Sequence, residues 1–497
     1  MKILLLYPNL HGMNMLPPSI GLFSTILKTQ GHQVELFDST SWIIPDEEHF
    51  NSDKSKEQNL TARPYDDSKL SNDNKTTDIF EDFRNKVVSL EPNLIAASVT
   101  EDMYPLGIRL LKSIKDLRIP VIMGGVFATF APNICLANEE VDMVCIGEGE
   151  SLLSELCERI ENKRSYSDLK NLWIKTSTGL VKNPLRPPEN FSLNPLPDIE
   201  IFEESRLYRP MQGKVWKMLP VETHRGCPYQ CAYCNSPSQQ KYYMSECNSS
   251  FFRKKTFEAI RKELLFYKEK IKAEAFYFWA DTFMAYTDKE FAQFQEIYQD
   301  IKLPFWCQSR PEEIQEERIR KLMDIGCFRM GLGVEHGNEN FRKKILNRKN
   351  TNSMIVENMK ILNKCGMPFS VNNIIGFPTE TRKLAMDTIE LNRLIDSDNA
   401  NAYSFSPFHG TPLRKMSEEL GYCDKDLIAR SVTKPTMLDM PNFPPEQIEG
   451  LRRCFVLYIK MPKEYWKQIE KAEQLTPEGD KIWQQLKDEC ASKYMNF

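Results

Sequence analysis

Short apolar runs alternate with helical stretches along most of this 497-residue chain, and that alternation restricts the fold more than any other feature. "KILLLY" (2–7) reads as a strand. "PPSIGLFSTILKTQG" (17–31) reads as a helix, with proline near its start and Gly31 past its end. "QVELFD", "NLIAASV", "PVIMGG" and "VDMVCIG" follow as strands, separated by helical patterns such as "YPLGIRLLKSIKDL" and "ESLLSELCERIEN". Continuous apolar strands joined through helices imply a parallel sheet covered on both faces. The expectation is an α/β fold whose first part, residues 1–170, is a doubly wound parallel sheet of about five strands. Ligands of such sheets sit beyond the carboxyl ends of the strands.

The polar, aperiodic stretch 43–77 interrupts this part as an inserted loop, read either as a lid or as a disordered excursion. Residues 171–205 read as a hairpin ("NLWIKTSTGLVKN") and a Pro-rich extended linker, which sets the domain boundary. Beyond it, six candidate strands fall at 218–223, 275–279, 304–309, 327–334, 368–375 and 400–406. The chemically unusual residues lie just after them. In a (β/α) barrel such residues converge on one mouth, so 206–420 is expected to form an open, TIM-like partial (β/α)6 barrel. A helical region, 421–497, completes the chain. It and the insertion are the parts expected to select a substrate.

Hydrophobic residues make up 41% of the chain and charged residues 27%, with a formal net charge of −4. That is ordinary for a soluble protein and gives no global footprint for nucleic acid or an anionic membrane, so neither is an expected partner. "MKILLLYPNL" lacks a cleavage pattern, and no apolar run reaches bilayer-spanning length. The 13 cysteines, an odd number, then read as reduced thiols of a cytoplasmic protein.

Three of them, Cys227, Cys231 and Cys234, stand within "HRGCPYQCAYCNSP". A zinc site needs a fourth ligand and usually a second CxxC pair. No second pair exists, although His224 could complete a mononuclear site. An iron–sulfur cluster is also held by thiolates, normally four. Three would leave one iron open to a substrate or cofactor, and one short loop can wrap three corners of a cube.

"CPYQCAYC", with Tyr233 in the aromatic position, resembles the signature of the radical S-adenosylmethionine superfamily, over about residues 215–415. The resemblance implies a 4Fe–4S cluster on the three cysteines. Its open iron chelates S-adenosylmethionine, which is cleaved to a 5′-deoxyadenosyl radical. It also implies S-adenosylmethionine contacts by Tyr233 and by Asp281 at the methionine amino group. Ser309 or Arg310 would reach the ribose and carboxylate, Glu335 stands at the "ES" position, and Ile375, Gly376 and Phe377 would pack on adenine.

Most of residues 1–160, through "LPPSIGLFSTILKTQGHQVELFD", "PVIMGGVFATFAPN" and "VDMVCIGEGE", looks like the Rossmann-like cobalamin-binding domain of cobalamin-dependent radical enzymes. Ser98 and the pair Gly124–Gly125 match positions lining the nucleotide-tail pocket, with Phe127 beside them. Gly147 and Glu148 would lie on the corrin side. The loop of Thr100, Glu101, Asp102, Met103 and Tyr104 would supply the residue below cobalt. The D-x-H-x-x-G loop of other cobalamin proteins is replaced by "PNLHGMNMLP", so a base-off cofactor is expected, without ligation by His11. The resemblance as a whole implies a methyltransferase acting on an unactivated carbon of a small-molecule or natural-product substrate. A flavodoxin or ferredoxin would be its electron donor. The same cofactors also suit a radical rearrangement, cyclisation or oxidation. An iron–sulfur or zinc protein without S-adenosylmethionine cleavage is the reading from another class.

Overall fold

The computed structural model describes residues 1–44 and 59–495. The first sheet contains β1 (Lys2–Tyr7), β2 (Gln33–Asp38), β3 (Leu94–Ser98), β4 (Val121–Gly124), β5 (Met143–Cys145), β6 (Leu172–Thr176) and β7 (Gly179–Lys182), in the order β2-β1-β3-β4-β5-β6-β7. β1 to β5 are parallel, as the apolar runs require. Ile3, Leu4, Leu5 and Leu6 on β1 have no solvent exposure because helices cover both faces. The hairpin β6–β7 joins the same sheet antiparallel, with Met143 opposite Ile174.

The Pro-rich stretch after the hairpin is not a free spacer. It lies along the helix Pro18–Thr29: Ser24 Oγ donates to Asp198 at 2.6 Å, and Thr25 Oγ1 to the Leu196 carbonyl at 2.8 Å. Gly21 permits this approach, since a Cβ there would stand 3.0 Å from the Asp198 carbonyl oxygen.

The second sheet contains β8 (Tyr208–Met211), β9 (Lys214–Glu222), β10 (Ala275–Trp279), β11 (Phe305–Ser309), β12 (Cys327–Glu335), β13 (Phe369–Ile375) and β14 (Asn399–Ser404). Neighbours follow in chain order, β9 to β14 are parallel, and β8 pairs antiparallel with β9. The result is the open six-unit half-barrel read from the sequence. A single apolar core runs from Ile3, Leu5 and Leu27 into Leu219, Phe276 and Phe305, so the two sheets are joined by buried contact.

Residues 45–58 of the expected lid lie outside the described residues. The rest of the insertion is built in. Lys75 exchanges backbone hydrogen bonds with Ser41 and Ile43, Ser68–Ser71 lies against β8, and Leu60 is buried with the C-terminal core. The Thr61 carbonyl accepts from Asn399 Nδ2 at the start of β14. The described part of the insertion thus touches both free edges of the open barrel. The C-terminal helices, from Pro445–Arg453 to Pro477–Tyr494, bury Leu451, Phe455, Leu457 and Leu486 beside Ile375 and Ala400. Among the described residues no helix is long and apolar enough to cross a membrane.

Candidate functional site

The cysteine loop follows β9. Gly226 opens it at φ +83°, and a Cβ there would stand 2.9 Å from the Phe251 ring. The loop is fastened from outside: Ala232 N donates to the Leu346 carbonyl at 3.1 Å, and Asn347 Nδ2 to the Gln230 carbonyl at 2.7 Å. Cys227, Cys231 and Cys234 line a cavity of about 320 Å³ inside the half-barrel. Arg310 stacks 3.8 Å from the Tyr229 ring centroid and places Nη1 3.0 Å from Cys231 Sγ, where it offsets thiolate charge. Burial pushes the Cys227 thiol up to about 12, and that of Cys234 higher, so loading a metal there must expel protons. Among the described residues no three His, Cys, Asp or Glu side chains converge on a single-ion position. His224 lines the larger cavity described below, which of the three thiols only Cys234 borders, and it is absent from the cavity that all three share. Its ring lies between Phe252 and Tyr286, and desolvation lowers its pKa to about 3.

Four of the other expected residues meet at the thiol cavity. Asp281 follows β10, and removal from bulk water raises its carboxyl. Ser309 Oγ donates to Glu313 at 2.5 Å. Glu335, at φ +71°, faces Arg348 at 3.2 Å, and Arg348 Nη1 also donates to the Tyr233 hydroxyl at 3.1 Å. Burial raises the Glu335 carboxyl against the opposing pull of Arg348. Ile375, Gly376 and Phe377 depart from expectation. They line neither this cavity nor the larger one described below. The amides of Gly376 and Phe377 donate to Glu380, and the side chains of Ile375 and Phe377 are buried among the C-terminal helices. Strand periodicity is the reason: β13 turns alternate residues inward, and these are Asn372, on the thiol cavity, and Ile374, on the larger one.

The larger cavity, about 780 Å³, lies between the two sheets at the carboxyl ends of their strands. Ser98, Thr100, Glu101, Asp102, Gly124, Gly125, Phe127, Gly147 and Glu148 all belong to its wall; His11, Met103 and Tyr104 do not. Met103 is buried in the first domain, and Tyr104 donates to the Ile134 carbonyl at 3.1 Å. Asp102 keeps a raised carboxyl because it is desolvated.

Three of the wall residues have tasks that the sequence did not reveal. The Glu101 carboxylate accepts from His409 N at 2.8 Å, His409 Nδ1 at 2.6 Å and Ala429 N at 2.8 Å, which ties the loop after β3 to the end of the barrel. A Cβ on Gly147 would stand 2.3 Å from the Tyr243 hydroxyl, so this glycine admits a ring from the barrel. Glu148 sits in an ionic clamp. Arg225 Nη1 lies 2.6 Å from Glu148 and 2.7 Å from Glu150, Arg225 Nε 2.9 Å from Glu222, and Arg253 also bonds Glu148. The sequence offered no periodic signal for this clamp, because its members come from three separate segments. The two cavities share Tyr233, Cys234, Trp279 and Asp281 as a common wall. Past residue 420, among the described residues, only Val432 lines the larger cavity.

Residues 221–391 match the radical SAM superfamily, and residues 66–157 match the B12 binding domain. An uncharacterized methyltransferase of Pyrococcus horikoshii is 24% identical over 78% of this chain and 83% of its own. The anaerobic magnesium-protoporphyrin IX monomethyl ester cyclase of Rubrivivax gelatinosus is 24% identical over 77% and 70%. Two solved structures share the fold. The radical S-adenosylmethionine methyltransferase TsrM from Kitasatospora setae covers 84% of this chain and 76% of its own, at 17% identity and TM-score 0.61. The cobalamin-dependent S-adenosylmethionine radical enzyme OxsB, with aqua-cobalamin bound, covers 98% and 71%, at 15% identity and TM-score 0.66.

Proposed function

Because this chain belongs to the cobalamin-binding radical S-adenosylmethionine enzymes, with a 4Fe–4S cluster, S-adenosylmethionine and cobalamin as cofactors, we propose that it is a methyltransferase acting on a small molecule. The observation carrying this reading is the shared wall. Tyr233, Cys234, Trp279 and Asp281 border both the thiol cavity and the larger cavity, so groups held in the two would meet without crossing solvent. When bound, the cofactors supply a 5′-deoxyadenosyl radical for hydrogen abstraction and a methyl group for delivery to the substrate carbon. The chain's own part is placement. Cys227, Cys231 and Cys234 would hold the cluster, and Arg310, 3.0 Å from Cys231 Sγ, would offset thiolate charge there. Asp281, Ser309 and Glu335 are poised for the polar end of S-adenosylmethionine in the thiol cavity. The rim Ser98–Asp102, with Gly124, takes cobalamin, and Glu101 is held there by His409. Trp279, Phe405 and Phe408 give the larger cavity apolar walls that exclude water from a radical.

The cyclase relative, as similar in identity as the methyltransferase-named one, supports a second reading: the same cofactors used in a radical ring closure without methyl transfer. Anaerobically reconstituted protein separates the two. Methyl transfer predicts S-adenosylhomocysteine alongside 5′-deoxyadenosine when cobalamin is present, whereas ring closure predicts 5′-deoxyadenosine alone. Replacing Cys227, Cys231 and Cys234 together by Ala abolishes 5′-deoxyadenosine in either case. Cleavage retained in that variant overturns the cluster assignment.

A further inference from the structure

The segment Phe341–Asn350, "FRKKILNRKN", carries Arg342, Lys343, Lys344, Arg348 and Lys349 and no acidic residue, in a chain of net charge −4. The two arginines are buried and used: Arg342 Nη1 donates to the His336 carbonyl at 2.6 Å, and Arg348 serves Glu335 and Tyr233. The three lysines are exposed, and among the described residues none has a carboxylate within ion-pair distance. The nearby acids are engaged: Glu339 accepts from Asn352 N at 2.7 Å, and Glu312 from Arg310 Nε at 2.7 Å. Lys343 and Lys344 end the helix Glu339–Lys344, where positive charge favours the helix terminus. That accounts for two of the lysines but not for Lys349 or for the missing acids.

The position of the patch is the second observation. Leu346 and Asn347, in the middle of the segment, are the residues bonded to Ala232 N and to the Gln230 carbonyl of the cysteine loop. The outer side of that loop is open, with Pro228 and Gln230 exposed while Cys231 is buried beneath. The lysines therefore belong to the segment that holds the cysteine loop, on which Pro228 and Gln230 reach solvent. Their segment is fastened to the loop by one backbone hydrogen bond, at Leu346, and one from the Asn347 side chain.

We propose that Lys343, Lys344 and Lys349 form the docking surface for an acidic, low-potential one-electron carrier protein that reduces the cluster. This rests on the radical S-adenosylmethionine reading. One electron passes from the carrier's reduced flavin or iron–sulfur group, through the cluster, to the sulfonium. The C5′–S bond breaks to give methionine and the 5′-deoxyadenosyl radical, the carrier is oxidised by one electron, and no proton moves. Steering by complementary charge raises association rates by about 10- to 1000-fold and weakens with salt.

The test is 5′-deoxyadenosine formation by the reconstituted holoenzyme, driven by enzymatically reduced flavodoxin, by reduced ferredoxin, or by dithionite. The wild-type rate with the better carrier is expected to fall steeply as salt rises. The combined variant Lys343→Glu, Lys344→Glu, Lys349→Glu loses about tenfold or more of that rate at low salt. It keeps the wild-type cluster content and the wild-type rate with dithionite. The neutral triple variant to Gln falls between. Carrier-driven rates within twofold of wild type in the Glu variant overturn the proposal. So does a wild-type enzyme that works with dithionite but with neither carrier. If dithionite itself yields no 5′-deoxyadenosine from the loaded wild type, the radical reading falls and the docking site with it.

Discussion

Arg225→Met cuts the ionic clamp between the two sheets. The Arg225 side chain is 16% exposed, and its partners Glu148, Glu150 and Glu222 are 10%, 11% and 18% exposed. Met keeps much of the volume and removes the charge. Three carboxylates then lie in partly desolvated surroundings, with Arg253 left beside Glu148 alone. Breaking a buried pair by removing one partner costs about 3–5 kcal/mol, because the remaining charge has lost its compensation. At about 1 °C per kcal/mol for a cooperative chain of this length, apoprotein Tm should fall by about 3–5 °C. The pH dependence has a definite sign. Desolvation raises the Glu148 carboxyl, but Arg225 and Arg253 together leave it below its ordinary value of 4.5. A carboxyl depressed in the folded state stabilises above its unfolded pKa, and that contribution is lost as pH falls through the folded value. The deficit of Arg225→Met is therefore full at pH 7 and shrinks as pH falls through the depressed Glu148 value, where wild type itself loses the contribution of that pair. Thermal unfolding of wild type, Arg225→Met and Glu150→Gln at several pH values measures it. A Tm loss under about 2 °C at pH 7, or a loss independent of pH, refutes the clamp as a domain tie.

A Cβ on Gly124 meets only Cys145 Cβ at 3.4 Å, whereas one on Gly125, at φ +113°, would stand 2.3 Å from the Val99 carbonyl oxygen. Gly124→Val should thus weaken hydroxocobalamin binding tenfold or more, about 1.4 kcal/mol, with little loss of Tm. Gly125→Ala should lower Tm directly, and equal binding by wild type and Gly124→Val would remove this strand end from the cofactor site. His224, lowered to about 3 from 6.5, stays neutral while the unfolded chain takes up a proton. Stability is therefore lost as pH falls from 6.5 toward 3, by up to about 5 kcal/mol. His224→Phe keeps the ring contacts with Phe252 and Tyr286, so it should shift the acid-unfolding midpoint to lower pH and leave iron content unchanged. Loss of iron would mark His224 as a ligand.

The sequence by itself determined which residues form strands and where the chemistry gathers. Apolar runs such as "KILLLY" have no stable place except between helical layers, and a parallel sheet follows from burial on both faces. Three thiols in eight positions need no distant partner to form one loop, so that motif was legible locally. Side-chain direction within a loop or strand end was not. "IIGFP" carried no sign of which residues face inward, and β13 turned Ile374 rather than Ile375 to the cavity. Nor could Glu148 be read as an arginine partner rather than a cofactor contact, since Arg225 and Arg253 lie 77 and 105 positions away. The same holds for Glu101, whose His409 and Ala429 partners are 308 and 328 positions distant. Local sequence fixes backbone periodicity because its causes lie within a few residues. The pairing of charges and the joining of two cavities at Trp279 and Asp281 were decided only when the two sheets packed together. Burial then made every unpaired carboxylate costly and left each one the partner that the tertiary fold had brought within reach.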